Sequence, residues 1–255
     1  MIVARSIGEL DLPRHGVVGL VPTMGALHAG HTALFRAARA ASDVLVASVF
    51  VNPVQFSEDG DLAAYPRNLE RDLAAAEAEG VDVVFAPRAE EMYPPGFATW
   101  VVPEGAAVGL ESEHRPGHFR GVATVCLKLF NIVRPQFAWF GRKDAQQVAV
   151  LKQLVRDLNV PVEIRVVGTV RDDDGLALSS RNARLSPAER EQARAIRRAL
   201  ETGDEAQARA VLAAAGVEPE YIAVADLDGP TLAIAARVGS TRLIDNVPLG
   251  EGENR

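Results

Sequence analysis

The sequence of 255 residues is poor in cysteine and aromatic residues, and it has no excess of basic charge. Its single cysteine, Cys126, cannot form an intrachain disulfide, which excludes a disulfide-stapled scaffold and favours a reducing compartment, the cytoplasm. The net charge of −7 excludes a chain that is basic overall, so we expect no nucleic-acid partner. No signal peptide is visible and no apolar run approaches the roughly 18 residues of a membrane-spanning helix, so we expect no membrane association.

Lysine is also scarce, with three lysines against 24 arginines. The two residue types are not equivalent where a site needs a compact and flexible ammonium group. A lysine that persists in such a sequence is therefore informative, and Lys143 is of interest for this reason.

Apolar segments bounded by turn residues alternate with helical patterns through the first two thirds of the chain. The patterns predict strands at 17–21, 44–51, 81–86, 100–102, 137–140 and 162–167, and helices at 32–41, 66–79, 121–133 and 145–158. Continuous apolar strands separated by helices are typical of a parallel sheet covered on both faces. We therefore predict an α/β fold with a doubly wound, Rossmann-like parallel sheet, whose ligands bind at the carboxyl ends of the strands.

The pattern changes near residue 170. Residues 170–181 are polar and contain glycine, which predicts a mobile hinge loop. Helices at 187–200 and 204–215 follow, and then strands at 221–225, 232–235 and 242–246. We predict a main domain at 1–169, the hinge at 170–181 and a smaller C-terminal α+β domain at 182–255.

The segment PTMGALHAGH, residues 22–31, follows the first strong strand and opens a helix. Gly25 and Gly30 allow close approach of the backbone, and a helix N-terminus offers unpaired N–H groups to an anion. His28 and His31 can both face one bound phosphate. The alternatives are a metal pair or two incidental polar residues, but the zinc-helix pattern of two histidines four apart with a glutamate is absent.

This segment resembles the phosphate-binding signature of the pantothenate synthetase family, within the HIGH-type nucleotidyltransferase superfamily. Five further blocks resemble the family in the same order: FVNPVQF at 50–56, RPGHFRGVATV at 115–125, FGRKDAQQ at 140–147, LSSRN at 178–182 and RLIDN at 242–246. The resemblance implies ATP-dependent condensation of (R)-pantoate with β-alanine, which yields pantothenate, AMP and diphosphate through a pantoyl-adenylate. It also implies Mg²⁺ alongside ATP and a homodimer.

The resemblance assigns nucleotide binding to three groups of residues, namely Met24, Gly25, Ala26, Leu27, His28, Ala29, Gly30 and His31; Gly141, Arg142, Lys143 and Asp144; and Val170, Leu178, Ser179, Ser180 and Arg181. It makes His28, His31 and Lys143 catalytic, with His31 as proton donor. It assigns pantoate to Gln55, Gln147 and Asn52. Neutral amides suit this task, because an arginine clamp would stabilise the carboxylate nucleophile in its ground state as well.

Several residues carry weaker expectations. Asp72 could help to hold Mg²⁺, but an exposed helix carboxylate is the interpretation we favour, so no metal ligand is assigned. Arg115 and His118 are expected near the pocket mouth, and His118 is equally suited to cap the next helix. Cys126 is expected to serve packing rather than nucleophilic attack. The family usually has glutamate at position 142, and we expect Arg142 to be tolerated there.

Three other functions remain to be weighed. A related HIGH-type enzyme would stop at an adenylylated product. A nicotinamide oxidoreductase needs GxGxxG after the first strand, and Gly16, Gly19, Gly25 and Gly30 do not have that spacing. A binding protein that kept the fold would hold ATP without turnover.

Overall fold

The computed structural model describes residues 1–12, 16–56 and 62–250. This part of the chain divides into two compact units. The first unit comprises residues 1–140 and 146–167, and the second comprises residues 141–145 and the chain from Gly168 onward. The short segment 141–145 thus groups with the second unit, although it lies between a strand and a helix of the first.

Among the described residues, six strands form the sheet of the first unit in the order β1-β4-β3-β2-β5-β6. Their bounds are β1 (Ile2–Ala4), β2 (Val18–Thr23), β3 (Val44–Val49), β4 (Val83–Phe85), β5 (Phe137–Gly141) and β6 (Glu163–Val167). β2 pairs in parallel with β3 on one side and with β5 on the other. The strand order therefore reverses beside β2, and the crevice where such sheets bind ligands lies at the carboxyl ends of β2 and β5.

The helices of the first unit cover this sheet, and several short 3-10 turns join them to the strands. The helices are α1 (Ala29–Arg39), α2 (Leu69–Ala78), α3 (Ala89–Met92), α4 (Glu111–His114), α5 (His118–Val133) and α6 (Ala145–Asp157). The 3-10 turns are Ile7–Glu9, Pro53–Gln55 and Gly105–Ala107. The predicted doubly wound α/β fold is confirmed.

Side chains on alternate positions of the central strands enter two different apolar clusters. Leu20 and Val46 pack in one cluster with α5, whereas Val21, Leu45 and Ala47 pack in the other with α1 and α2. All five are buried, because helices cover both faces of the sheet. The apolar composition of the strands is the direct consequence.

Cys126 lies on α5 within the first of these clusters and is 4% exposed. Burial raises the pKa of its thiol to about 12. A protonated and enclosed thiol is a poor nucleophile, which agrees with the predicted packing role.

The predicted strand at 100–102 is wrong. The backbone N–H of Val101 donates to Oγ1 of Thr124 on α5 at 3.0 Å, instead of to a neighbouring strand. The ring of Trp100 packs against Tyr93 and Phe97, with centroids 6.0 and 5.0 Å apart. The hydrogen bond between the backbone of Val101 and the side chain of Thr124 is a tertiary contact. The local apolar pattern could therefore not reveal it.

In the described residues, the second unit has a sheet of three antiparallel strands in the order β7-β8-β9. Its elements are a 3-10 turn (Ser180–Arg184), α7 (Pro187–Leu200), α8 (Glu205–Ala214), β7 (Glu218–Asp226), β8 (Pro230–Val238) and β9 (Thr241–Pro248). Its own apolar core joins both helices to the sheet, with Ile196, Leu200, Leu212, Leu232 and Ile234 almost fully buried. The predicted α+β character is confirmed.

Residues 171–177 form a short hairpin rather than a loop without pairing. Arg171 and Ala177 form an antiparallel bridge, and Arg190 of α7 contacts Asp172 at 2.5 Å and Asp174 at 2.7 Å. These partners are far apart in sequence, so composition alone predicts only a polar loop. The hinge at 170–181 stays a prediction.

In the described ranges, none of the helices combines the length and the hydropathy that crossing a membrane requires.

Candidate active site

The loop between β2 and α1 carries the HxGH motif and begins with a turn that the Thr23 side chain stabilises. Thr23 Oγ1 donates to the carbonyl of Ser48 at 2.7 Å and accepts from the N–H of Gly25 at 3.1 Å. Gly25 has φ of +76°, and a Cβ there would lie 2.6 Å from Oδ2 of Asp72. Both the backbone angle and the close approach require glycine.

The side chain of Asp72, on α2, holds this loop through two backbone hydrogen bonds. Its Oδ2 accepts from the N–H of Ala26 at 3.0 Å and its Oδ1 from the N–H of Leu27 at 2.8 Å. The residue is only 3% exposed, so the favoured interpretation of Asp72 as an exposed helix carboxylate is wrong. Each carboxylate oxygen is thus engaged by one backbone N–H group. The sequence held one signal of this burial. Asp72 lies four positions before Ala76, which places both residues on the same buried face of the helix.

His28 and His31 bond reciprocally to the backbone at the start of α1. Nδ1 of His28 accepts from the N–H of Gly30 at 3.1 Å, and Nδ1 of His31 accepts from the N–H of His28 at 3.3 Å. The ring centroids are 4.1 Å apart. Because each Nδ1 is an acceptor, the neutral rings carry their proton on Nε2. The motif thus brings two imidazoles, each with its proton on Nε2, together at a helix N-terminus, which is suited to an anion.

Asn52 and Gln55 lie at the 3-10 turn after β3 and form a buried polar chain. Nδ2 of Asn52 donates to the carbonyl of Gly121 at 3.2 Å and to Oε1 of Gln55 at 2.9 Å. A carbonyl can only accept, so this contact sets the orientation of the Asn52 amide. Gln55 then turns its Nε2 towards Sδ of Met24, at 3.1 Å. The structure brings a predicted substrate residue against the predicted nucleotide loop.

Tyr93 completes the same chain and was missed by the sequence analysis. Its hydroxyl donates to Oδ1 of Asn52 at 2.9 Å. Burial raises the pKa of Tyr93 far above its usual value, so the phenol keeps its proton and its role as donor. Nothing in the local sequence marks Tyr93, because its partner lies 41 positions away.

His118 supports Gln55 through the backbone. It is 6% exposed, and its Nδ1 bonds to the carbonyl of Gln55 at 2.9 Å. Gly117, not His118, is the N-cap residue of α5, so the capping interpretation is wrong. A Cβ on Gly121, one turn along, would lie 2.5 Å from the carbonyl of Val54. The two residues let α5 approach the turn that carries Gln55.

The paired glutamines of α6 have different surroundings. Gln146 is buried, accepts from the N–H of Glu111 at 3.0 Å and donates to the carbonyl of Ala106 at 3.1 Å. It therefore fixes a loop of the first unit. Gln147, the next residue of the helix, is half-buried. Gln147 stays the predicted substrate residue of the pair, because the Gln146 amide is bonded to the backbone of the loop.

The remaining predicted nucleotide residues belong to the second unit. Gly141 is followed by a 3-10 turn, Arg142–Asp144, and Lys143 Nζ lies 3.6 Å from Oδ1 of Asp144. Arg142 is 9% exposed, and its Nη2 donates to Oγ1 of Thr231 at 2.7 Å. Its side chain is thus held within the second unit.

The hairpin and the 3-10 turn after it carry the other group. The carbonyl of Val170 accepts from the N–H of Leu178 at 3.0 Å, which places these two predicted residues side by side. Ser179 caps the 3-10 turn, and its Oγ accepts from the N–H of Arg181 at 3.2 Å. Ser180 and Arg181 are half-buried.

Within residues 1–12, 16–56 and 62–250, no three His, Cys, Asp or Glu side chains are grouped so that they could hold a metal ion.

Comparisons with known proteins agree on one family. A family model described as pantoate-β-alanine ligase matches residues 4–248. The pantothenate synthetase of Roseiflexus castenholzii is 50% identical over 96% of this chain and 98% of its own, and that of Chloroflexus aurantiacus is 50% identical over both full lengths.

Solved structures give the same result. The pantothenate synthetase of Thermus thermophilus superposes with a TM-score of 0.90 and 46% identity, over 97% of this chain and 99% of its own. The pantoate-β-alanine ligase of Francisella tularensis, complexed with β-γ ATP and β-alanine, gives a TM-score of 0.89 and 36% identity, over 97% of both chains. The chain therefore belongs to the pantoate-β-alanine ligase family.

Proposed function

We propose that His28, His31 and Lys143 act on ATP while Gln55, Gln147 and Asn52 hold pantoate. The reaction is the ATP-dependent condensation of (R)-pantoate with β-alanine, which gives pantothenate, AMP and diphosphate through a pantoyl-adenylate. The observation that carries the division of roles is the contact between Gln55 and Met24, where the substrate amide meets the nucleotide loop.

The first step is attack of the pantoate carboxylate on the α-phosphorus of ATP. Negative charge gathers on the phosphate oxygens and the departing diphosphate, so the chain contributes mainly positioning and hydrogen bonding. The Nε2–H groups of His28 and His31 donate to these oxygens, and His31 is the proton donor. The backbone of Met24–His31 carries the nucleotide at the N-terminus of α1.

Pantoate is held by amide donors. The Asn52 amide is fixed by the carbonyl of Gly121, and it turns Nε2 of Gln55 towards Met24. That N–H₂ group can donate to a carboxylate or hydroxyl oxygen without the ground-state ion pair that would weaken the nucleophile. Gln147 supplies the second amide.

The other nucleotide contacts are proposed for residues 141–144 and for the segment from Val170 to Arg181. Lys143 neutralises phosphate charge, and Asp144 accepts from the ribose hydroxyls while Gly141 allows close approach to the sugar. The backbones of Arg142 and Val170 and the side chain of Leu178 border the nucleotide. Ser179, Ser180 and Arg181 hold the terminal phosphates.

We propose that Mg²⁺ enters with ATP. Mg²⁺ keeps several waters and is commonly bound by substrate phosphates with one or two carboxylates. Both oxygens of Asp72 accept backbone N–H groups, so we assign this carboxylate to the support of the loop and not to the ion. The ion would be held through the phosphate oxygens, where it neutralises charge on the leaving group.

The resemblance to the family supports a homodimer. The single cysteine, which cannot form an intrachain disulfide, supports a cytoplasmic location. The negative net charge supports an enzyme without a nucleic-acid partner.

Product analysis separates this enzyme from one that stops at the adenylate. With ATP, Mg²⁺ and (R)-pantoate, we expect pantothenate and stoichiometric AMP when β-alanine is added, and no pantothenate without it. Mass spectrometry of the quenched reaction is the measurement. Accumulation of a pantoyl-adenylate that no added amine consumes would favour the adenylylating alternative.

His31→Asn and His31→Gln separate the two ring nitrogens. Asn places its oxygen near the position of Nδ1 and keeps an acceptor for His28, whereas Gln places its N–H₂ near Nε2 and keeps a donor. We expect His31→Asn to lower kcat by about 10²–10³, since one preorganised donor is lost. His31→Gln should retain more of the rate, and ATP binding should change little in either. The exposed His114→Ala is the control, and equal loss in both variants would contradict the Nε2 assignment.

Gln55→Glu tests the amide donor at nearly constant volume. A second oxygen would replace the N–H₂ group and face the pantoate carboxylate. We expect the KM for pantoate to rise by about tenfold or more, because a like-charge contact replaces a hydrogen bond. The KM for ATP should stay close to the unmodified value. Gln207→Glu, at an exposed position of α8, controls for the added charge. An unchanged KM for pantoate would exclude Gln55 from its site.

Asp72→Asn tests the support of the nucleotide loop. One carboxylate oxygen becomes an N–H₂ group that faces a backbone N–H, at a cost of about 1–3 kcal/mol. We expect the Kd for ATP, measured by calorimetry, to rise by about tenfold. Glu70→Gln makes the same charge change at an exposed position of the same helix and should leave the Kd unaltered. Equal affinity in both variants would show that Asp72 does not hold the loop for ATP.

A further inference from the structure

We propose that Asn246 of β9 is a positioning residue for Lys143. The inference rests on the proposed role of Lys143 at the phosphates. Asn246 acts through its side-chain amide on the backbone that carries the lysine.

The side-chain amide of Asn246 bridges two consecutive carbonyls. Its Nδ2 donates to the carbonyl of Lys143 at 2.8 Å and to that of Arg142 at 3.0 Å. Asn246 is 5% exposed, so both bonds lie away from solvent. Two carbonyl acceptors need two N–H donors at one point, and a side-chain amide provides them. An aspartate of the same shape would present only oxygens.

Contacts of this kind add support to the conformation of the segment around Lys143. Residues 142–144 form a single 3-10 turn, which is weakly stabilised by its own hydrogen bonds. The Arg142 side chain adds a second attachment, through Nη2 to Oγ1 of Thr231 at 2.7 Å. Arg142, which precedes Lys143, is therefore held at two points. Its backbone carbonyl is bonded to β9 and its side chain to β8.

Asp245, the neighbour of Asn246, has a parallel task. Its carboxylate accepts two hydrogen bonds from Arg171, at 2.6 and 3.1 Å. Arg171 follows Val170, whose backbone is proposed to border the nucleotide. Two consecutive residues of β9 thus hold both nucleotide segments of the second unit, which gives the RLIDN block a physical role.

A lysine side chain has four rotatable bonds, so the place of its ammonium depends on where its Cα is held. A displacement of about 1 Å at a reacting group can cost about 100-fold in rate. Loss of the two Asn246 bonds should act on catalysis chiefly through Lys143, because Arg142 has a second attachment through its side chain to Thr231.

A double-mutant cycle tests this coupling. We expect Asn246→Asp to lower kcat/KM for ATP by about 10- to 100-fold in the otherwise unmodified enzyme. In the Lys143→Ala background the same change should cost less than about threefold, because there is no ammonium left to position. Arg237→Gln, which removes an exposed pair with Glu220 in the same sheet, should leave activity unchanged.

The outcomes separate the possibilities. An equal loss in both backgrounds means that Asn246 acts only on the fold, and this overturns the proposal, as does full activity of Asn246→Asp. Full activity of Lys143→Ala instead overturns the proposed role of the lysine, and the inference with it. If thermal unfolding shows that Asn246→Asp does not fold, Asn246→Ala, which removes the donors without adding charge, enters the same cycle with the same criteria.

Discussion

The buried carboxylate of Asp72 is the contact on which the loop between β2 and α1, the proposed nucleotide loop, depends. The loop leaves β2 through Gly25 and Ala26, which have φ of +76° and +52°. Left-handed backbone of this kind carries a conformational cost at Ala26 and persists only when its surroundings impose it. The two hydrogen bonds that Asp72 accepts from the N–H groups of Ala26 and Leu27 supply that constraint. The reciprocal bonds of His28 and His31 follow directly along the chain, so the orientation of both imidazoles depends on this support.

The amides of Asn52 and Gln55, which we propose hold pantoate, are organised by the same principle. A backbone carbonyl, which can only accept, sets the Asn52 amide, and Asn52 in turn sets Gln55. Tyr93 closes the chain at its other end. Each member has a defined donor or acceptor role, so the chain ends in the N–H₂ group of Gln55 at the side chain of Met24. Buried polar chains of this type are costly when incomplete, and this one is satisfied throughout.

In the second unit, the supporting side chains come from a strand, β9, whereas in the first unit the support is Asp72 on the helix α2. Asp245 and Asn246 of β9 hold the hairpin after Val170 and the turn that carries Lys143. Here the functional segments are short turns without regular structure of their own, and their geometry comes from the sheet. In each unit, the segments that we propose to be functional are irregular backbone held by buried polar side chains from a regular element.

Local pattern determined much of this protein: the alternation of apolar strands and helices predicted the doubly wound sheet, and spaced glycines and histidines predicted the anion site after β2. Both signals depend only on neighbours in sequence, and hydrophobic periodicity and turn chemistry are local properties. Tertiary structure alone decided that Asp72 is buried, that residues 100–102 are not a strand, and that Tyr93, His118 and Asn246 support the site. In each case the partner lies more than 20 positions away, and only the folded chain brings a donor and its acceptor within hydrogen-bonding distance.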